Sequence, residues 1–402
     1  MTWKMFRKND NYLERDKRNH TMKKYTWLLW ILLLAGMTLP HPAAAAQRKE
    51  QATVIEGHGD LYVLHNPDKS VRIIAAKADG KLLDTTFLRL PENLKLRYFA
   101  ADESTDLHFE FSLHGRIKHN WRQEPAEKTV VVSDLHGRLD AFVALLQGNG
   151  VVDKELNWSY GKNRLIFLGD MLDRGRDDNG IAWLVYKLEK EAEQAGGGVD
   201  FLPGNHEDMV LKDDIRYVNE AHLAFAAKAG IPYAGLYGPD TELGRWIRDS
   251  YLILVVGDNL FVHAGLSPEL IRRGYKIGEI NELAWRFTGY PNRQRNELHP
   301  RNEFLFGSGG PLWYRGMVSD LQDNSPILPE ELEQVLRYYN VKRVVAGHTE
   351  VDETGRRYND RVVTVNVRHY DNYPKDRTAG LLIEAHRFYA VTYSGAKELL
   401  PE

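Results

Sequence analysis

The chain has 402 residues, 43% of them hydrophobic and 27% charged, and no cysteine. That composition is ordinary for a globular protein and excludes collagen-like and low-complexity readings; the missing thiol excludes a lipoprotein anchor and a disulfide framework. Beyond residue 46 the chain carries 45 basic against 53 acidic residues, so the electrostatic attraction on which nucleic-acid binding relies is missing.

Lys23 and Lys24 precede an apolar run, Trp27 to Leu39, followed by HPAAAAQ. This order predicts a secretory signal over 1–46, cleaved after Ala46, and export to the periplasm. The run is shorter than the about 20 apolar residues of a membrane span, so no stable membrane insertion is expected after cleavage. An uncleaved N-terminal anchor is the alternative. Residues 1–21 are too charged for the leading part of a signal, and the MKKYTWLL opening puts the conventional start at Met22.

Residues 47–120 read as a small β-rich segment: ATVIEGHGDLYVLH, SVRIIAAKADG, KLRYFA and LHFEFSLHG alternate and are punctuated by Gly and Asp. Its histidines (His58, His65, His108, His114, His119) have no ligand-like spacing and read as surface or turn residues. KHNWRQEPAEK reads as a polar linker. From residue 121 to 402 the character changes. TVVVSD is a buried strand, LDAFVALLQGNG a helix with a Gly stop, RLIFLGD a second strand, IAWLVYKLEKEAEQAGGG a second helix, and VDFLPGN a third strand. A hairpin follows around Gly257-Asp258, then the helix ELEQVLRYYN and the strands KRVVAGHT, RVVTVNV and LLIEAHRFYAVTYSG. The pattern predicts a mixed α/β (α+β) fold. Residues 207–250 and 275–316 are long and weakly patterned, as in lids or small subdomains.

Five strand patterns end in the same way. VVVSDLHG carries Asp134 and His136, and LIFLGDMLDRG carries Asp170, Asp173 and Arg174. DFLPGNHED carries Asn205 and His206, LFVHAG carries His263, and RVVAGHT carries His348. In open α/β sheets ligands bind beyond the carboxyl ends of strands, so these groups should converge. Singly, an Asp after a strand is most often a helix cap and a His among apolar residues a packed core histidine. Five strand ends that each offer a hard oxygen or an imidazole exceed what capping needs, since Ser, Thr or Gly would serve turns equally well. Carboxylate with imidazole suits Mn, Fe or Zn, and the absence of thiolate argues against a structural zinc. Two divalent ions about 3.5–4 Å apart need a bridging carboxylate. Asp170, on the second strand, is the natural bridge.

SDLHG, GDMLDRG, GNHE, VHAG and GHT, in that order over 134–349, resemble the motif set of metal-dependent phosphoprotein phosphatases, a group within the calcineurin-like metallophosphoesterases. The resemblance covers about residues 129–395 and departs at Ser133, where the family usually has Gly. GGPLWYRG (309–316), DMVLKDDIRY and ELGRWIRD are similar to the Shewanella-like phosphatase branch. The resemblance implies a β-sandwich flanked by helices, here with an N-terminal β-rich extension. It implies one metal on Asp134, His136 and Asp170, and a second on Asp170, Asn205, His263 and His348. His206 would be the general acid, held by Asp173, and Arg174 and Arg315 would grip the phosphate. Direct hydrolysis by a hydroxide bridging the two ions is expected, because no Cys or Ser nucleophile elbow is present.

GHT is followed by Glu350 rather than a second His two residues on, which argues against purple acid phosphatases and cyclic-nucleotide phosphodiesterases. A dinucleoside polyphosphate hydrolase and a general periplasmic phosphomonoesterase are the alternatives within the fold. A metal-holding binding module would be marked by loss of His206, Asp173 or Arg174, and all three are present. The expected substrate is a phosphorylated protein or small phosphoester, and the branch points to phosphotyrosine. Asp214, Arg216, Tyr217, Trp313 and Tyr314 are the candidate substrate-binding residues, in a rim that also draws on Tyr233, Trp285 and Phe287. Nothing in the sequence speaks to an oligomeric state.

Overall fold

The computed structural model describes residues 52–102, 106–117, 120–318 and 325–401. The signal-like segment 1–46, with Met22, and His119 lie outside the described residues. Among the described residues no helix is long and apolar enough to cross a membrane.

The N-terminal segment forms β1 (Val54–His58), β2 (Leu61–His65), β3 (Val71–Ala76), β4 (Leu82–Phe87), β5 (Lys95–Phe99) and β6 (His108–Phe111). They make two three-stranded sheets, β1-β5-β6 and β2-β3-β4. Strand β4, LLDTTF, escapes a sequence reading because its acid and threonines interrupt the alternation; pairing with β3 from Leu82 to Phe87 creates it. The supposed linker contains β7 (Arg122–Gln123), an edge strand.

The chain then alternates through β8 (Lys128–Val132), α1 (Leu139–Gly148), β9 (Arg164–Phe167), α2 (Asp178–Ala195) and β10 (Gly198–Phe201). Helix α2 stops where Gly196 turns left-handed, φ 75°, and the carbonyls of Ala192 and Glu193 accept from the backbone that follows. The first weakly patterned stretch is helical: α3 (Asn205–Leu211), α4 (Glu220–Ala229) and α5 (Glu242–Arg248). These helices are too short to show a period. Local caps start two of them, the Asn219 side chain accepting from Ala221 N and Thr241 from Gly244 N. The hairpin β11 (Ile253–Val256) and β12 (Asn259–Val262) turns at Gly257, φ 58°. The second stretch adds α6 (Pro268–Arg272), α7 (Ile277–Phe287), α8 (Asn292–Leu298) and α9 (Asn302–Leu305). Helix α10 (Pro329–Tyr339) precedes β13 (Arg343–Ala346), β14 (Gly355–Arg357) and β15 (Val362–Thr364). The last strands are β16 (Thr378–Glu384), β17 (Arg387–Thr392) and β18 (Lys397–Leu399).

Two six-stranded sheets result, ordered β10-β9-β8-β16-β17-β18 and β14-β15-β13-β12-β11-β7. Val131, Ile166 and Leu168 of the first meet Phe261, Val345 and Val363 of the second in a buried apolar layer. The outer face of the first sheet is covered by α1, α2 and the N-terminal strands, which share one core: Leu96, Tyr98, Phe109 and Phe111 pack with Phe142, Trp183 and Tyr186. Helices α6, α7 and α10 cover the second. The fold is the helix-flanked β-sandwich that the motifs imply. Within each sheet the central motif-bearing strands run parallel (β8, β9 and β10; β12 and β13), which brings each sheet's polar turns to one edge.

Candidate metal centre and active site

The turns that leave these strands are tightly bent. Asp134, His136, Asp170, Asp173, Arg174 and His348 all have positive φ, between 44° and 72°. Residues with side chains seldom adopt this region, and a cluster of them records strain held by surrounding contacts. The holding bonds are visible. Asp134 N donates to Gly169 O at 2.9 Å and His136 N to Asp170 O at 3.0 Å. Buried Glu207 accepts from the backbone N–H of Asp170, Met171, Leu172 and Gly204 at 2.6 to 3.0 Å. Gly204 has no substitute, because a Cβ there would strike the Asp170 carboxylate and the His263 ring.

His263 Nδ1 lies 2.6 Å from the Leu168 carbonyl and donates to it, so Nε2 presents a lone pair. That atom is 3.0 Å from Asn205 Oδ1, 3.5 Å from Asp170 Oδ1 and 3.2 Å from His348 Nδ1. Four lone-pair-bearing atoms thus crowd together, with His206 N donating to Asp170 Oδ1 at 3.0 Å, and a cation between them would offset their mutual repulsion. His136 repeats the arrangement: Nδ1 donates to Leu172 O at 2.9 Å and Nε2 faces Asp170 Oδ2 at 3.7 Å. Asp134 accepts from His348 N at 3.0 Å and from the Ser133 hydroxyl. Ser133 therefore supports the Asp134 carboxylate directly, and the bare Cα of Gly347 leaves room for its oxygen.

Burial raises the Asp134 carboxyl to about 7, with the Asp170 charge adding to it, and raises Asp170 to about 6. Burial likewise lowers His136, His263 and His348. Left to themselves these groups would shed charge. A divalent cation inverts that preference by stabilising carboxylate and neutral imidazole together. The donor set therefore fits divalent metal ions, with Asp170 shared between His136 on one side and His263 and His348 on the other.

Beside the donors, His206 Nδ1 meets Asp173 Oδ2 at 2.7 Å, both groups buried. Burial pushes Asp173 up to about 8 and His206 down, so the pair favours its uncharged form and keeps one proton in that hydrogen bond. Arg174 Nη2 is 3.5 Å from His206 Nε2. Arg315 donates to the His348 carbonyl at 3.2 Å, and burial lowers its guanidinium while the Asp134 and Asp170 charges oppose that. His206, Arg174 and Arg315 line one cavity of about 920 Å³ together with Asp134, His136, Asp170, Asn205 and His348.

The rim residues divide. Tyr217 and Trp313 line the cavity, Tyr217 with its ring 5.2 Å from that of His206 and Trp313 edge-on to His348 at 5.9 Å. Arg216 also lines it, held by two bonds to Asp214. Tyr314, expected in the rim, instead turns away to pack against Gly265, Gly316 and the neighbourhood of Glu331. Trp285 bonds Asp249 beside Arg116, Phe287 joins the outer core of the second sheet, and Tyr233 is buried beside His222. Several N-terminal histidines are structural rather than idle: His65 pairs with Glu242 at 2.5 Å and His114 stacks on Tyr186 at 3.8 Å. Sequence reasoning also gave no role to Glu207, although it is the last letter of GNHE. His369, which anchors the Ser133 carbonyl at 2.9 Å, had no signal.

A calcineurin-like phosphoesterase profile matches residues 127–352, more than half of the chain. The chain is a calcineurin-like phosphoesterase. An uncharacterised protein of Schizosaccharomyces pombe is 30% identical over 67% of this chain and 82% of its own length. Shewanella-like protein phosphatase 2 of Arabidopsis thaliana is 27% identical over 61% of this phosphoesterase and 72% of the relative. The crystal structure of a cold-active protein-tyrosine phosphatase from a psychrophilic Shewanella species superposes with a TM-score of 0.74 at 28% identity. It covers 85% of this chain and 99% of that one. This phosphoesterase is thus a phosphatase with Shewanella-like relatives, a hydrolase of phosphate esters from a family that implies divalent metal ions.

Proposed function

We propose that this phosphatase uses two divalent ions to hydrolyse phosphotyrosine in proteins or peptides, and that it does so outside the cytoplasm. The observation that carries the reading is the juxtaposition of the His206–Asp173 pair, Arg174 and the Tyr217 ring at the mouth of the donor-lined cavity. Asp134, His136 and Asp170 would hold one ion; Asp170, Asn205, His263 and His348 would hold the other. When bound, such ions supply Lewis acidity, screening the phosphate charge and acidifying a water for attack on phosphorus.

The chain's own residues do the rest. Arg174 and Arg315 fork onto the phosphoryl oxygens and fix the group beside His206. As the ester P–O bond breaks, His206 Nε2 gives its proton to the departing oxygen, while the hydrogen bond to Asp173 holds the ring at Nδ1. Tyr217 and Trp313 form apolar walls at which the tyrosyl ring can pack. The Shewanella neighbour, whose structure is that of a protein-tyrosine phosphatase, supports the substrate class. The basic, apolar, small-residue order of the N-terminal sequence supports export.

Activity on p-nitrophenyl phosphate, phosphotyrosine and phosphoserine peptides, and diadenosine tetraphosphate should be compared after chelation and after Mn²⁺ is restored. Loss on chelation, recovery with metal and preference for phosphotyrosine are expected. Turnover that survives chelation would overturn the metal reading, and preference for the dinucleotide would overturn the monoesterase reading.

A further inference from the structure

The loop that carries Asp173 and Arg174 runs on into four consecutive residues that are all tied down. Arg176 Nη2 donates to Asp60 Oδ2 at 2.8 Å and Nη1 to the Gly59 carbonyl at 3.1 Å. Asp177 Oδ1 accepts from Tyr98 Oη at 2.9 Å and from Ala101 N at 2.6 Å. Asn179 Oδ1 accepts from Leu61 N at 3.0 Å. Three of the four are thus gripped by the N-terminal β segment.

The remaining one, Asp178, is gripped by His222 of α4. The His222 ring is fully buried between two carboxylates, with Nδ1 2.6 Å from Asp60 Oδ1 and Nε2 2.9 Å from Asp178 Oδ1. Each nitrogen faces a carboxylate oxygen, and a ring that donates to both is an imidazolium. Arg176 Nη1, which donates to Gly59 O, also lies 3.0 Å from Nδ1 and 3.4 Å from Nε2, so the guanidinium stands against the same ring. The charges facing the ring are Asp60, Asp178 and Arg176, with the Tyr233 ring 6.0 Å away. Desolvation opposes the cation, but the two carboxylates outweigh it and hold His222 up to about 10.

The other oxygen of Asp178 reaches the active site. Oδ2 accepts the Asp173 backbone N–H at 3.1 Å. Asp173 and Arg174 stand at φ 72° and 68°, so this bond, with Arg174 N donating to the Tyr217 carbonyl at 2.8 Å, opposes relaxation of a strained turn. A continuous chain of contacts therefore runs Asp60, His222, Asp178, Asp173, His206. We propose that His222, braced by Asp60 of the N-terminal segment, is a positioning residue that sets Asp173 against His206 for proton delivery to the leaving group. The proposal rests on the reading of His206 as proton donor. It assigns the N-terminal segment a part in the reaction, and it makes α4 more than a lid.

The test separates this proposal from that reading. In the Mn²⁺-loaded enzyme, His206→Asn should lose about 10²–10⁴-fold in kcat on phenyl phosphate and far less on p-nitrophenyl phosphate, whose leaving group needs little protonation. His222→Gln, which can bond only one of its two carboxylates, should lose about tenfold or more on phenyl phosphate and under about threefold on p-nitrophenyl phosphate, with KM unchanged. A purely structural role would slow both substrates equally. Equal losses, or none, in His222→Gln beside a leaving-group-dependent loss in His206→Asn would overturn the proposal alone. No leaving-group dependence in His206→Asn would overturn the donor reading and the proposal with it. Should His222→Gln fail to fold, Asp60→Asn, which keeps Tyr62 and Arg176 as neighbours, decides on the same two substrates. The imidazole nitrogen shifts of His222 in zinc-loaded protein provide a second readout. Both nitrogens should be protonated near pH 8, well above the ordinary imidazole value of about 6.5; a neutral ring would overturn the proposal.

Discussion

Tyr217 illustrates how one residue joins backbone support to substrate contact. Its carbonyl holds Arg174 N, its ring faces His206, and the Arg216 guanidinium sits 5.6 Å over the ring's far part. The ring is 46% exposed, so a substrate aromatic can bury it further. Ring packing of this kind contributes about 0.5–1.5 kcal/mol beyond area burial. Tyr217→Ala is therefore expected to lower kcat/KM for a phosphotyrosine peptide by about 3- to 10-fold. A phosphoserine peptide should change by less, since its side chain has no ring to stack. Equal losses on the two peptides would show that the residue acts only through its support of Arg174. At the same scale, Ser133 shows that a departure from the usual motif can be compensated locally, since its hydroxyl bonds the carboxylate of Asp134.

Helix α3 concentrates four tasks in four successive buried residues. Asn205 faces His263, His206 the Asp173 carboxylate, Glu207 the backbone of the 170–172 turn, and Asp208 the insertion on its other side. Asp208 accepts both bonds of a buried pair from Arg295 Nη1 at 2.8 and 3.0 Å, and also Gly289 N at 3.1 Å. Arg295 is 1% exposed, and its guanidinium lies 4.0 Å over the Phe306 ring. Removing one member of such a pair strands the other charge in a dry site. Arg295→Ala should destabilise the protein by about 3–5 kcal/mol, read from the denaturant midpoint at constant slope. A change under about 1 kcal/mol would mean that the pair is solvated and that α8 is not anchored through it.

For the molecule as a whole, the N-terminal strands and the catalytic sandwich share one core, so stability and reactivity respond to the same buried charges. His222 has a folded-state value of about 10, above its unfolded value. Its contribution to stability is complete below about pH 6.5 and is lost as pH rises through about 10. His369 is the opposite case: burial lowers it to about 4. Its contribution is complete above about pH 6.5 and is lost as pH falls towards 4. Thermal midpoints measured at fixed metal load should therefore pass through a maximum near neutrality and fall towards pH 10. The alkaline fall should flatten in His222→Gln. An unchanged alkaline limb in that variant would mean that His222 is neutral in the fold.

The sequence by itself determined the strand–helix alternation and the expected convergence of the five motif ends, because buried strands and polar turns leave a local mark; the sandwich was implied by the motif resemblance. The three aspartates, four histidines and Asn205 at those ends could be named one by one, and the motif resemblance implied their roles, since ligand and acid–base chemistry restricts residue type. Only the tertiary structure decided what lay between the motifs. Tyr217 and Trp313 face the cavity, while Tyr314, Trp285 and Phe287 do not, a distinction set by backbone direction that composition cannot express. Strand β4 depends on its pairing with β3, and the His222 brace on a partner far away in sequence (Asp60 and His222 are 162 apart). Their side chains are chosen by contact rather than by period, and contact is the one property that a linear pattern does not carry.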